Sequence, residues 1–147
     1  IAETLPRNQM VVIISWMDPR LSPEQFFDFA RVMPVIRVAG GRAKGALDTL
    51  LVLDHAFCLG QTIVVHHTDC SMTHMTNEVI KNGLLNRCPD KATDISKMHF
   101  DEITGDDLER SVKSDVKWLR VQPYFDDEID VVGGIFDLNT GKIEIVE

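Results

Sequence analysis

The chain has 147 residues, 44% of them apolar and 26% charged, the profile of one globular domain with one core spanning 1–147. A formal net charge of −8 argues against nucleic acid as the main partner, because phosphate contacts need a basic surface. No apolar run approaches the roughly 18 residues needed to span a bilayer, so no membrane role is expected. There is no basic region followed by an apolar stretch at the N-terminus, so no signal peptide is expected. The start at Ile1 suggests further chain upstream.

In chain order, Val11–Ile14 is a β-branched apolar run expected to form a strand buried on both faces. It ends in the polar segment Trp16-Met17-Asp18-Pro19-Arg20. Ser22-Pro23-Glu24-Gln25 then signals a helix start, with Ser22 as N-cap and Phe26, Phe27, Phe29 and Ala30 as the apolar side. Val35–Val38 reads as a second strand, followed by Ala39-Gly40-Gly41, where the backbone can turn sharply. Leu47, Leu50, Leu51 and Cys58 recur at helical spacing over 46–59, with Gly60 as the expected C′ residue. Thr62–His67 reads as a third strand and ends in His66-His67-Thr68-Asp69-Cys70. Residues 77–85 carry a helical pattern and 89–99 read as a surface excursion. Leu108–Leu119 is a helix with Val112, Val116 and Leu119 on one face. Val131–Phe136 and Ile143–Val146 close the chain as strands joined by the turn Asn139-Thr140-Gly141-Lys142.

Strands alternating with helices predict an α/β fold with a mostly parallel central sheet and helices on both faces. Ligands in such sheets bind beyond the carboxyl ends of the strands, where both polar segments fall. His67 and Cys70 form an H-x-x-C pair there, and imidazole and thiolate are both zinc ligands. Asp18 and Arg20 are spaced to face the same way, so that the guanidinium holds the carboxylate ionised and oriented. His66 is expected to face away from His67 by strand alternation. The three cysteines, Cys58, Cys70 and Cys88, are too few for a disulfide framework and suit a reducing, cytoplasmic setting.

Several motifs, in register over roughly residues 9–147, resemble those of the β-class carbonic anhydrases. That family carries C-x-D-x-R after the first strand, R-N-A-G-G after the second and H-H-T-D-C-G after the third. Here the matching segments are Trp16–Arg20, Arg37-Val38-Ala39-Gly40-Gly41 and His66–Ser71. Ser111–Arg120 and Val132–Lys142 resemble the family's late helix and last strands. The resemblance implies a parallel sheet with an antiparallel edge strand. It also implies a homodimer or higher even oligomer, and a zinc ion held by two cysteines and a histidine that hydrates CO2. An aspartate–arginine dyad, here Asp18 and Arg20, would orient the metal-bound water.

Three positions depart from the pattern around that site. Trp16 stands where the first ligand cysteine is expected, Val38 replaces the asparagine, and Ser71 replaces the glycine after Cys70. Indole offers no lone pair suited to zinc. Three readings follow. Zinc is held by His67, Cys70 and Asp18, with weak CO2 hydration. The metal is lost or altered, and Asp18, His67 and Cys70 act on a larger small molecule in a pocket that includes Trp16, Val38, Gly40, Gly41 and Ser71. Or the chain is a catalytically inactive binding or interaction subunit.

Overall fold

A computed structural model describes residues 10–25, 34–102, 107–125 and 129–147. The helix side expected at Phe26, Phe27, Phe29 and Ala30 lies outside the described residues. Five strands form one sheet: β1 (Met10–Trp16), β2 (Val35–Val38), β3 (Leu59–His67), β4 (Asp130–Asp137) and β5 (Lys142–Ile145). Their order is β2-β1-β3-β4-β5. All pairings are parallel except β4 with β5, which form an antiparallel edge hairpin around Gly141. This is the α/β, mostly parallel architecture expected from the strand and helix order.

Every residue of β1 is buried, which is why its sequence is a continuous apolar run rather than an alternation. Its side chains still alternate between two cores. Met10, Val12 and Ile14, with Val64 of β3, pack under α1 (Ala43–Phe57) and α4 (Leu108–Arg120) through Ala43, Ala46, Leu50, Val112, Val116 and Leu119. Val11, Ile13, Ile63 and Val65 face the opposite side, where Trp16, Leu21, Cys70 and Phe136 complete a second cluster. Two further helices, α2 (Asn77–Arg87) and α3 (Ala92–Lys97), lie between β3 and α4 in the chain. The stretch 89–99, read as an excursion, does hold α3, a short and largely exposed helix anchored by buried Ile95.

One expectation is corrected. α1 ends at Phe57, and Cys58 rather than Gly60 makes the turn, with φ 58°. Asp54 explains this early stop: its carbonyl accepts from the Cys58 amide at 2.8 Å and its carboxylate accepts from the Leu59 amide at 3.1 Å. Gly60 therefore lies inside β3. Ser22-Pro23-Glu24-Gln25 begins with a 3-10 turn at Pro23–Gln25, closed by the Gln25 amide on the Ser22 carbonyl at 2.9 Å.

Candidate functional site

The parallel register brings the carboxyl ends of β1 and β3 side by side, because Ser15 pairs with Val65 one residue before Trp16 and two before His67. From these ends the chain delivers Trp16, Asp18, Arg20, His67 and Cys70 to one place. Trp16 and Cys70 share the second core cluster, and the Trp16 and His67 rings lie 6.1 Å apart at 52°. Trp16, Met17, Asp18, Pro19, Arg20 and Ser71 line an open cleft of about 480 Å³.

Arg20 holds Asp18 with several bonds. Nε donates to Oδ1 at 3.0 Å, Nη2 to Oδ2 at 2.6 Å, and the Arg20 amide to Oδ1 at 2.9 Å. These bonds lower the Asp18 carboxyl to about 2, against the opposing effect of burial. The same guanidinium donates through Nη1 to Asp69 Oδ2 at 3.0 Å and through Nη2 to the Asp69 carbonyl at 3.3 Å. Asp69 reaches this position from a left-handed turn, φ 54°, a conformation that aspartate tolerates better than most residues. Arg20 is thus engaged on both sides by carboxylates, which leaves it poorly placed to anchor an anionic substrate. Its own pKa is raised, chiefly by the Asp18 bonds.

His67 is 1% exposed. Its Nδ1 lies 2.7 Å from the Thr68 carbonyl, an acceptor, so the proton sits on Nδ1 and the lone pair on Nε2. Nε2 is buried without a hydrogen-bond partner among the described residues, and Asp18 Oδ2 lies 3.9 Å away, beyond bonding reach. Burial depresses the His67 pKa, so the ring is neutral. Burial raises the Cys70 thiol, with amide hydrogen bonds from Met72 and Thr73 opposing it. A neutral imidazole beside a raised thiol is the reverse of an activated nucleophile pair.

The remaining expected site residues divide. Gly40 and Gly41 both have positive φ, and a Cβ on Gly41 would stand 3.1 Å from the Val65 carbonyl and 3.3 Å from the Trp16 nitrogen. Only glycine lets this turn pass between the two strand ends. Val38 does not line the cleft. It faces a neighbouring apolar groove of about 730 Å³, together with Ala39, Gly45, Met72, Met75 and Phe100.

Sequence reasoning missed a buried polar network behind the site. Asp115 of α4 accepts from Arg42 at 2.9 Å and from the Ala43 amide at 3.1 Å, and lies 3.3 Å from His66 Nε2. His66 does face away from His67, as expected, and its Nε2 also lies 3.3 Å from the Gly41 carbonyl. The signal was present: Asp115 sits between Val112 and Val116 on the apolar face of α4, where a carboxylate must find a partner.

Zinc, implied by the resemblance, can be tested against these donors. Catalytic zinc takes three protein ligands and one open position. Among the described residues, no group of three or more His, Cys, Asp or Glu side chains is arranged to hold a metal ion. Asp18, the candidate third ligand, has both oxygens committed to Arg20. His67 and Cys70 alone do not fit a three-ligand zinc centre. No helix among the described residues is long and apolar enough to cross a membrane.

An α/β sheet with an open cleft at the carboxyl ends of β1 and β3 defines a broad class, and comparison with known proteins narrows it. No protein-family model matches the chain. The sequence is 23% identical over 144 residues to Beta-carbonic anhydrase 1 of Mycobacterium tuberculosis, covering 97% of this chain and 85% of that protein. The carbonic anhydrase from Glaciozyma antarctica superposes with a TM-score of 0.86 at 28% identity, covering 97% of this chain and 85% of the other. That of Streptococcus mutans gives 0.78 at 28% identity, with 96% and 83% covered. The chain has the fold of these carbonic anhydrases and is similar to them in sequence at 23–28% identity.

Proposed function

We propose that this chain is a β-carbonic anhydrase family protein with a degenerate zinc site, in which Trp16 occupies the place of the first ligand cysteine and CO2 hydration is weak or absent. The observation that carries this reading is the donor set: His67 and Cys70 stand beside an indole, and the one nearby carboxylate is bonded to Arg20 through both oxygens. In an intact site zinc would lower the pKa of bound water and supply hydroxide near neutral pH. Here Arg20 fixes Asp18 and keeps it ionised, Thr68 fixes the His67 tautomer, and Trp16 packs as a buried side chain beside His67.

Reuse of the pair for nucleophilic chemistry is the weaker reading, because burial keeps Cys70 protonated and His67 neutral. We further propose, on the resemblance, a homodimer or higher even oligomer in a reducing cytoplasmic setting. The three free cysteines agree with that setting.

Zinc analysis and stopped-flow CO2 hydration, on the unaltered protein and on Trp16→Cys, test the reading. Expected are no stoichiometric zinc and little hydration in the first, and restored zinc binding in the second. One zinc per chain with brisk hydration in the unaltered protein would overturn it.

A further inference from the structure

The two helices between β3 and α4 stand apart from both cores. We propose that residues 77–99 form a hinged lid, a helical arm that opens and closes as one unit over the apolar groove beside the candidate site while the sheet stays folded.

Three observations carry it. First, the arm holds together on its own. α2 packs chiefly on α3 and on the turn at Pro89–Lys91, and neither helix makes comparable contact with the sheet, α1 or α4. α2 has no buried residue, and the one buried residue of α3, Ile95, belongs to neither core cluster. Leu85, Ala92 and Ile95 line a cleft between the two helices, and Lys81 Nζ donates to the Ser96 carbonyl at 3.1 Å. Second, the arm joins the rest of the chain at a narrow base. Asn77 Oδ1 accepts from the Phe100 amide at 3.1 Å, and the Asn77 amide donates to Glu102 Oε1 at 2.7 Å, so the two ends of the arm are clasped together. The returning segment is fixed to the start of α1. Arg42 Nη1 donates to the Glu102 carbonyl at 3.1 Å, and Lys44 Nζ lies 3.3 Å from Asp101 Oδ1. Movement of the arm is therefore taken up at the two links, around Thr76 and His99.

Third, the arm reaches the groove with apolar surface still wet. Ile80 of α2, with Met75 and Phe100 at the links, shares the groove lining with Val38, Ala39 and Gly45. Met75 is 45% exposed and Val79, one residue before Ile80, is 52% exposed. Swinging the arm inward buries this surface, and swinging it out breaks few buried contacts, the condition under which local opening concentrates in one part of a fold. Met72 lines the same groove and packs against the cluster of Trp16 and Cys70, so the lid works beside the candidate site.

Native-state hydrogen exchange and methionine-methyl relaxation dispersion on the unaltered protein test the lid. Met72 and Met75 line the groove, and Met10, buried in the core, is the control. The amides of α2 and α3 should exchange through one shared opening, at least about a hundredfold more frequent than the opening that exposes α4. Met72 and Met75 should show exchange on the microsecond-to-millisecond scale that Met10 lacks. Asn77→Ala removes the acceptor of the Phe100 amide and should raise the arm's opening about fivefold, the weight of one hydrogen bond, with α4 and the strands unchanged. Arm amides as well protected as those of α4, or α2 and α3 opening independently, would overturn the lid. So would an opening indifferent to Asn77→Ala, or static methyls at Met72 and Met75. Methyl exchange that fades as protein concentration rises would also overturn it, by showing that a second copy covers the groove.

Discussion

Replacing Asp115 probes how the strand ends that carry the site are held. Its side chain is 2% exposed and that of Arg42 13%, so their 2.9 Å pair is shielded from solvent. One carboxylate ties the Ala43 amide at the start of α1, Arg42 beside it, and His66 on β3. Removing one partner of a buried pair costs about 3–5 kcal/mol, because the other charge is left uncompensated. Asp115→Leu should therefore cost about 4 kcal/mol, a large share of the total for a domain of this size. With a urea slope of about 2 kcal/mol per molar, the unfolding midpoint should fall by about 2 M. Arg42→Met alone should cost less, since Asp115 keeps the Ala43 amide. The double variant should recover at least about 2 kcal/mol relative to the sum, though not all, because the Ala43 amide stays unpaired. The assay is urea unfolding of the four proteins at one fixed protomer concentration. A cost below about 1 kcal/mol for Asp115→Leu, or strict additivity in the cycle, would refute the network.

Three further outcomes follow from the geometry. A methyl group at Gly133 would lie 2.3 Å from Val112 and 2.8 Å from Val116, so Gly133→Ala should destabilise by about 1–3 kcal/mol and lower Tm by several degrees; an unchanged melting curve would mean α4 does not pack this closely. The Asp18 carboxyl, held at about 2, lies below its ordinary value of roughly 3.9, so its stabilising effect is complete above that ordinary value and is lost as pH falls through about 2. Carboxyl NMR should show this titration moving up toward the ordinary value in Arg20→Met, and a wild-type Asp18 titrating near 4 would show that the pair is not formed. Asp54→Ala removes the acceptor 3.1 Å from the Leu59 amide and should cost about 1 kcal/mol in thermal unfolding.

The sheet was legible because four parallel-paired strands carry near-continuous apolar β-branched runs, and their lengths alone separate them from helices. α1 and α4 were legible from spacing, except at the end of α1. There Asp54 competes with the glycine signal by capping the turn itself, and a propensity rule that favours Gly60 has no access to a side-chain bond five residues back. Within the site, His67, Cys70, Asp18 and Arg20 were found by residue type and position at strand ends. Asp69 was visible in the motif, but its bond to Arg20 needs a left-handed backbone and a partner 49 positions away in sequence. Periodicity carries neither.

The same contrast bears on Trp16. On the proposed reading it stands where a sulfur ligand is expected, and that alone leaves open whether the rest of the site adapts. The arrangement of the survivors narrows that choice. Had Asp18 turned toward His67, a mixed nitrogen, sulfur and oxygen set for zinc would remain. Instead its two oxygens are spent on Arg20, which is itself drawn further by Asp69, and His67 Nε2 stays unpaired 3.9 Å away. Asp18 is therefore tied into an Arg20-centred cluster with Asp69 and does not stand as a third ligand beside His67 and Cys70. A site divided in this way does not return to zinc by rotation of one side chain. On the proposed reading zinc needs a second thiolate at position 16, and for that reason Trp16→Cys discriminates better than any substitution at Asp18.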